Sequence, residues 1–351
     1  TVGSLPDVQA DAEADSGDQS TILVPTGPSE TAESGSQEDP AQEPRSSIQR
    51  AMTTDEKAAA LRLSTVRMMR GLSAHKIGEG STVGSTVRFE GPVVIGDRTH
   101  IRGDVIIGGG CVIQDDTRIK GNIRIGHGCT FCDDVRVTGE ITLGDACIVY
   151  RDTILEGPII AGDCNVFDTT CFIGSDQNDR HGHIQIGNNC YFGVGVTVSQ
   201  PTGRLMPAWY RPPEIRDNPV TSVTRIGHNV TIRADVGSDC TVHDGCKIEA
   251  NLTFQSHVMR DVHIMRGASV HSYTAIGAGC VLKEGVQVTR DLLPYTVALS
   301  PTSCCVNVEI MRRIGYADSD IDELDAFYCV HFSTQPATRA IGLWNAADMD
   351  L

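Results

Sequence analysis

Four histidines stand beside apolar positions in residues 243–271, and imidazole is the side chain best suited to proton transfer near neutral pH. They are His243, His257, His263 and His271. Each stands next to an apolar residue, so strand alternation would turn the imidazole outward wherever its neighbour points into a core. We therefore treat the four as candidate general bases; the competing interpretation of each is a surface or interface histidine.

Two further segments could carry chemistry. His181 and His183 flank Gly182, and such a pair can bind a metal ion, but no third ligand and no His-x4-His spacing is evident, so we predict no metal site. The loop 200–222 is rich in proline and also contains Arg204, Trp209, Tyr210 and Arg211. It is either a binding face or a mobile surface excursion.

A strict six-residue repeat must position these side chains. One apolar residue recurs at fourteen consecutive sixth positions: Ile77, Val83, Phe89, Ile95, Ile101, Ile107, Ile113, Ile119, Ile125, Phe131, Val137, Leu143, Val149 and Leu155. Neither a helix nor an ordinary strand has this period, whereas the coils of a β-helix do. Glycine often follows the apolar residue, as at Gly96 and Gly144, where a corner has no room for a Cβ atom.

The repeat is then interrupted and resumes. We read a five-residue step to Ile160, Val166 and Phe172, an insertion near 174–185, and a second insertion at 200–222. Later segments are Ile186, Phe192 and Val198; Ile226 and Ile232; Val242, Ile248 and Phe254; and Val258, Ile264, Val270, Ile276, Leu282 and Val288. The sequence thus predicts an all-β solenoid, a β-helix over 76–292; a sandwich of short strands would not keep one phase for so long.

The ends of the chain differ from the repeat. Residues 1–50 have the polar, acidic composition of a disordered tail. In 51–75, Thr53 to Glu56 fits a helix-capping box, and we expect a helical cap over the first coil. Residues 293–351 are expected to form a C-terminal extension with short helices at 307–314 and 318–332, followed by a tail.

Composition excludes several classes. The formal net charge is −16, which argues against nucleic-acid binding. No apolar run is long enough for a membrane span. The 13 cysteines lack C-x-x-C ligand pairs, and Cys111, Cys129, Cys147 and Cys164 follow the coil length. We expect reduced structural thiols and a cytoplasmic location.

Three motifs in the C-terminal half resemble the UDP-N-acetylglucosamine O-acyltransferases, which are hexapeptide-repeat enzymes that use acyl carrier protein. The motifs are Asp239-Cys240-Thr241-Val242, Asp291-Leu292-Leu293-Pro294-Tyr295, and Val306-Asn307-Val308-Glu309 with Arg313 and Gly315-Tyr316. Ile173-Gly174 with Asp179 is similar to a shorter motif of that family. The resemblance implies a left-handed parallel β-helix in a homotrimer, with active sites between subunits.

The resemblance also implies site residues. Asp179, Asp239, Asn307, Glu309 and Arg313 would contact the nucleotide-sugar acceptor. His271, our first choice as catalytic base, and His257, our second, match family positions that line the substrate site. The position of the family's own general base is Ser238 here, and a serine hydroxyl cannot serve as a base near pH 7.

Two functions remain open at this point. The first is an acyltransferase without a bound cofactor that moves an acyl group from acyl-CoA or acyl carrier protein to a hydroxyl or amino group of a nucleotide sugar or related metabolite. The second is a catalytically silent ligand-binding or scaffolding relative, which the loss of a histidine at Ser238 favours.

Overall fold

The structure is a computed structural model of the 351-residue chain, and it describes residues 53–174, 182–199, 222–300 and 303–332. The chain divides into residues 1–51 and 52–351, and all described residues belong to the second unit. The expected tail 1–50, Asp179, His181 and the loop residues 204–211 lie outside the described residues.

Residues 76–300 form a parallel β-solenoid of about 11 coils, which confirms the fold class. Most coils contribute one strand to each of three sheets, A, B and C, in that order along the chain, and in later coils isolated bridges at Val236, Leu252 and Leu292 stand in for a strand. Sheet A contains Lys76–Ile77, Val94–Ile95, Val112–Ile113, Thr130–Phe131, Ile148–Val149, Val166–Phe167, Tyr191–Phe192, Thr231–Ile232, Lys247–Ile248, His263–Ile264, Val281–Leu282 and Thr296–Ser300, followed by antiparallel Ser303–Val306.

The other two sheets are built in the same way. Sheet B contains Thr82–Val83, His100–Arg102, Arg118–Lys120, Arg136–Val137, Ile154–Glu156, Phe172–Gly174 and Thr197–Ser199, and later Ser269–Val270 and Gln287–Val288. Sheet C contains Arg88–Phe89, Val105–Ile107, Ile123–Ile125, Ile141–Leu143, Ile159–Ala161, Gly182–Ile186, Ser222–Ile226, Thr241–Val242, His257–Val258 and Ala275–Ile276. We name the corners by the sheets that they join: A–B, B–C and C–A.

The residue at each sixth position points inward, and stacked coils bury these residues in one continuous core. The glycine after such a residue is required by the close approach of the next coil. A Cβ atom on Gly96 would lie 2.2 Å from the Asp115 carboxylate, whose Oδ1 accepts the Asp97 N–H. A larger residue in place of such a glycine would therefore push the neighbouring coils apart.

Two details of the predicted repeat are wrong. Ala161, Phe167 and Ile173 point inward, so the repeat continues in phase after Leu155, and Ile160 is 51% exposed. We assigned the wrong phase because Ile160, Val166 and Phe172, which point outward, are apolar as well. Similarly, Leu252 rather than Phe254 is the inward residue, since it bridges Val236 and Val270.

The solenoid also extends past the predicted boundary at residue 292. Leu292 bridges Ile276, Tyr295 takes a left-handed corner conformation with φ +55°, and strand Thr296–Ser300 then pairs in parallel with Val281–Leu282. The segment that resembles a break in the repeat is thus another corner. The first insertion is shorter than predicted, because a strand begins at Gly182.

Three helices flank the solenoid, as predicted: α1 (Thr54–Met69), α2 (Val308–Arg313) and α3 (Asp318–Phe332). The Thr53–Glu56 capping box is present at the start of α1. However, α1 packs on the outer face of sheet A, where Ala58 contacts Ile148 and Val166, while Ile77 in the first coil stays 49% exposed. The expected cap is therefore a flanking helix, since coils 4 to 7 offer it an apolar outer surface.

The thiols form part of the core, with one correction. Cys111, Cys129 and Cys147 stack, and each Sγ donates to a carbonyl of the following coil. The fourth place in this stack is held by Asn165, not by the predicted Cys164, which lies in the corner conformation with φ +60°. All 13 cysteines are free, and burial raises the pKa of thiols such as Cys190, to about 11.

Candidate functional site

The outer face of sheet C in its last five strands carries the densest set of polar groups suited to catalysis. Gln185, Arg225, Thr241, His257 and Ala275 are successive partners in register across these strands. Adjacent members of such a column lie about 4.8 Å apart. We call this column the sheet C face, and both insertions, 175–181 and 200–221, lead directly into its strands.

His257 is the central group of this face. Its side chain is half-buried, and its partners in register on the neighbouring strands are the small residues Thr241 and Ala275. Burial lowers the pKa of His257, and the nearby His243 and Arg225 lower it further, while Asp291 opposes the shift. The imidazole is therefore neutral at pH 7, which is the state that a general base needs.

The other three histidines lie at different distances from His257. His243 stands at the C–A corner, exposed, close enough to lower the pKa of His257. His271 is exposed at the B–C corner. Its backbone N–H donates to the Val288 carbonyl, and its backbone carbonyl accepts the Ser256 hydroxyl at 3.3 Å. His263 is buried on the outer face of sheet A, so it belongs to another side of the solenoid.

Asn307 was expected to contact substrate, but its side chain is a helix cap. Its Nδ2 donates to the Gly279 carbonyl at 2.9 Å, and its Oδ1 accepts the Ile310 N–H at 3.3 Å. Only 2% of the residue is exposed in the single chain, and its contact with substrate stays a prediction. Asn307 therefore fixes the start of α2 on the solenoid.

Asp239, whose contact with the acceptor stays a prediction, has a defined place in the fold. It occupies the left-handed position of the B–C corner with φ +61° and is buried, and its N–H donates to the Thr224 hydroxyl at 3.0 Å. Aspartate tolerates this backbone conformation better than most residues do. The geometry assigns Asp239 to the corner.

Glu309 and Arg313 are both exposed on α2, one helical turn apart. The neighbouring Arg312 donates to Asp318 at 2.9 Å, so the charge of Arg312 is used within the chain. Glu309 and Arg313 are exposed in the single chain and accessible to a ligand. Their contact with the acceptor stays a prediction.

Ser238 and Asp235 stand where the resembling family has histidines. Ser238 lies at the B–C corner, and its carbonyl accepts the Gln255 N–H. The Asp235 carboxylate accepts the Thr197 N–H at 2.8 Å, which is a ladder bond between coils. The serine hydroxyl cannot serve as a base near pH 7, and the Asp235 carboxylate is used in this bond between coils.

Our sequence interpretation missed Arg225 and the pair His183 and Gln185. The amide Nε2 of Gln185 lies 2.7 Å from Nε2 of His183, so the amide donates and the imidazole accepts. The signal was present: Gln185, Arg225, Thr241 and His257 each directly precede an inward residue of the same sheet. Residues with that spacing form one outward column.

The described residues hold neither a cluster of metal ligands nor a helix that could span a membrane. Within these ranges, no three His, Cys, Asp or Glu side chains gather closely enough to hold a metal ion. No helix among them has the length and apolarity needed to cross a membrane.

No protein-family model matches the sequence. Among solved structures, the UDP-N-acetylglucosamine acyltransferase of Francisella novicida is 17% identical, with 71% of this chain and 77% of that chain covered and a TM-score of 0.41. The UDP-N-acetylglucosamine acyltransferase of Arabidopsis is 19% identical, with 73% and 81% covered and a TM-score of 0.37. A polySia-specific acetyltransferase, NeuO, is 13% identical, with 64% and 78% covered and a TM-score of 0.20. Sequence identities this low carry no information about the function of the chain.

Proposed function

We propose that the chain is an acyltransferase that moves an acyl group from a thioester, acyl-CoA or acyl carrier protein, to a hydroxyl or amino group of a nucleotide sugar or a related metabolite. The observation that carries this proposal is His257, a half-buried imidazole between Thr241 and Ala275 on the sheet C face, whose pKa burial lowers. The sequence resemblance to O-acyltransferases over residues 226–332 supports the same reaction.

The reaction follows from the properties of the imidazole. His257 takes the proton of the acceptor O–H or N–H as that atom bonds to the thioester carbonyl carbon, and backbone N–H groups stabilise the oxyanion. The C–S bond then breaks, and the imidazolium returns the proton to the leaving thiolate. We prefer His257 as the general base to our first choice, His271, because His257 is half-buried whereas His271 is exposed.

The accessible Glu309 and Arg313 of α2 would bind the acceptor, with Arg313 as a forked donor to phosphate. We further propose that the working form is a homotrimer whose sites lie between subunits. Sedimentation at micromolar concentration tests this, since a monomer would leave the sheet C face without its second wall.

The direct experiment is an assay of free thiol release. The purified chain is incubated with acetyl-CoA and longer acyl-CoA donors, or acylated carrier protein, together with UDP-sugars. We expect thiol release that depends on the acceptor and that His257→Asn abolishes. The matched control is His100→Asn, because His100 is also a half-buried strand histidine but lies on sheet B, bonded to Thr82.

The second candidate function is a ligand-binding relative without catalysis, which the serine at position 238 favours. Acceptor-dependent thermal stabilisation without thiol release from any donor would support it. Parallel measurements on His271→Ala decide between the two histidines: loss of turnover there with full activity in His257→Asn would move the base to the B–C corner.

A further inference from the structure

The three sheets of the solenoid end differently at the last coil. Sheet A is covered there by the antiparallel strand Ser303–Val306, and sheet C is covered by α2 and α3, which pack against Leu293 and Tyr295. The last strand of sheet B, Gln287–Val288, pairs on one side with Ser269–Val270, and no described strand pairs with its other side. Sheet B is therefore the one sheet whose end has no cover among the described residues.

The open edge of sheet B presents hydrogen-bond donors. In the strand before it, the N–H groups of Ser269 and His271 donate to carbonyls of the last strand. The equivalent donors of the last strand are the N–H groups of Gln287 and Thr289, which have no acceptor within the described residues. A strand edge with unpaired donors is a surface onto which a further extended segment can add.

A pocket lies beside this edge. The apolar residues Val288, Leu292 and Ala298 line it, together with Cys304, which is the partner of Ala298 in the antiparallel pair. Val288 and Ala298 belong to the core, whereas Leu292 is only half-buried. A further strand on sheet B would place its inward side chain in this pocket, over Val288.

The chain itself contains a segment of the required pattern. The last strand of sheet B turns two apolar residues toward the core, Val286 and Val288, with one outward residue between them. Ile141–Leu143, in sheet C, does the same. Ile341-Gly342-Leu343 has this alternation and begins nine residues after the end of α3 at Phe332.

The end of α3 lies close to the pocket. The Tyr328 hydroxyl, in the last part of α3, donates to the Pro294 carbonyl at 3.2 Å, and Pro294 is two residues from Leu292 of the pocket. Nine extended residues span roughly 30 Å, so a chain that leaves α3 at Phe332 can reach the pocket.

The tether also decides between occupants. Two ladder hydrogen bonds and one filled pocket would hold a separate peptide only weakly. A segment of the same chain acts at an effective concentration in the millimolar range, because a short tether keeps it near the edge. The small size of the site therefore favours an intramolecular occupant.

We propose that residues 341–343 form one more parallel strand on the open edge of sheet B. The carbonyls of Ile341 and Leu343 accept the N–H groups of Gln287 and Thr289, and the Leu343 side chain fills the pocket. The strand closes the core at the last coil and removes an exposed edge, which is a site of edge-to-edge association. This inference is independent of acyl transfer, so its test does not require turnover.

Alkylation of Cys304 by iodoacetamide in the native full-length chain tests the strand, since this half-buried thiol lines the pocket. Mass spectrometry of proteolytic fragments follows its rate, with the half-buried Cys164 as internal reference. We expect Leu343→Lys to speed alkylation of Cys304 by about tenfold or more, because a charged side chain cannot fill an apolar pocket and the strand then opens. The matched control is Leu351→Lys, the same change outside the motif, which should alter neither rate.

Hydrogen exchange of the Gln287 and Thr289 amides is a second measurement, because paired strand amides exchange slowly. Both amides should exchange faster in Leu343→Lys than in the wild type. Equal alkylation and equal exchange in the two proteins would overturn the inference, and an equal effect of Leu351→Lys would remove the assignment to residues 341–343. Protection that is lost when the wild type is diluted would show that another copy supplies the strand, which also contradicts the proposal.

Discussion

The solenoid has two regions that share one fold and differ in what their surfaces do. In residues 76–173, every coil has 18 residues, and charged corner residues pair with the next coil, as Arg98 does with Asp116 at 2.7 Å. In residues 222–300, coils of 16 and 18 residues alternate irregularly, and the sheet C face presents Arg225 and His257 instead. The regular region thus pairs charged corner residues of successive coils, whereas one face of the irregular region presents a cationic group and an imidazole.

The largest effect is expected from charging the core of the regular region. Ile113→Asp or Ile119→Asp buries an unpaired carboxylate, which costs several kcal/mol, so neither variant should be recovered as soluble folded protein. Thr142→Asp, on the exposed side of a strand, should fold normally. Ile248→Asp makes the same change in the irregular region; if it is tolerated while Ile113→Asp is not, the two regions do not share one core.

A smaller loss is expected at Asn165, the buried amide that takes a place in the cysteine stack. Asn165→Ala removes three buried hydrogen bonds, to Gly162, Gly187 and Cys190, and should lower the free energy of unfolding by about 3 kcal/mol. Asn165→Cys, which restores the stack's usual residue, should lose less, since a thiol can still donate to a carbonyl. Urea denaturation measures both; equal stability of Asn165→Ala and wild type would contradict the role given to Asn165.

The contrast also explains what the sequence could predict. The repeat over residues 77–155 predicted the β-helix because a six-residue period has few other physical solutions, and the helices α2 and α3 followed from their own patterns. The phase was lost at Ile160 because Ile159 and Ala161 flank an equally apolar but outward residue. Hydrophobicity alone does not distinguish the two faces of so short a strand.

The site was harder to predict because its members meet only across coils. Gln185 and Arg225 are partners on adjacent strands although the insertion 200–221 separates them in the sequence, while Arg225 and Thr241 are 16 residues apart. Similarity of motif suggested Asn307 and Asp239 as ligands, and their backbone positions, a helix cap and a left-handed corner, also favour those residue types. Local backbone requirements and ligand binding leave the same sequence signature.

The smallest effect concerns a strained corner of the regular region. Ala146 adopts φ +56°, which costs an L-residue roughly 1 kcal/mol relative to glycine. Ala146→Gly should therefore raise the free energy of unfolding by about 0.5 kcal/mol after the greater freedom of unfolded glycine is counted. Ala59→Gly, in the exposed interior of α1, should have the opposite sign. A loss of stability in both variants would show that the corner is not strained.

The central claim is that His257 acts as a neutral base on the sheet C face, and the pH dependence of acyl transfer tests it most directly. Because burial holds the pKa of His257 below its usual range, activity should stay constant from pH 8 to pH 7 and fall only as the pH drops through that lowered pKa. Stability has the same sign: the neutral imidazole is favoured in the folded chain, so its contribution is lost as the pH falls. His257→Asn should reduce kcat by about 100-fold or more and remove this inflection, while His100→Asn keeps both. An unchanged rate and an unchanged inflection in His257→Asn would contradict the account.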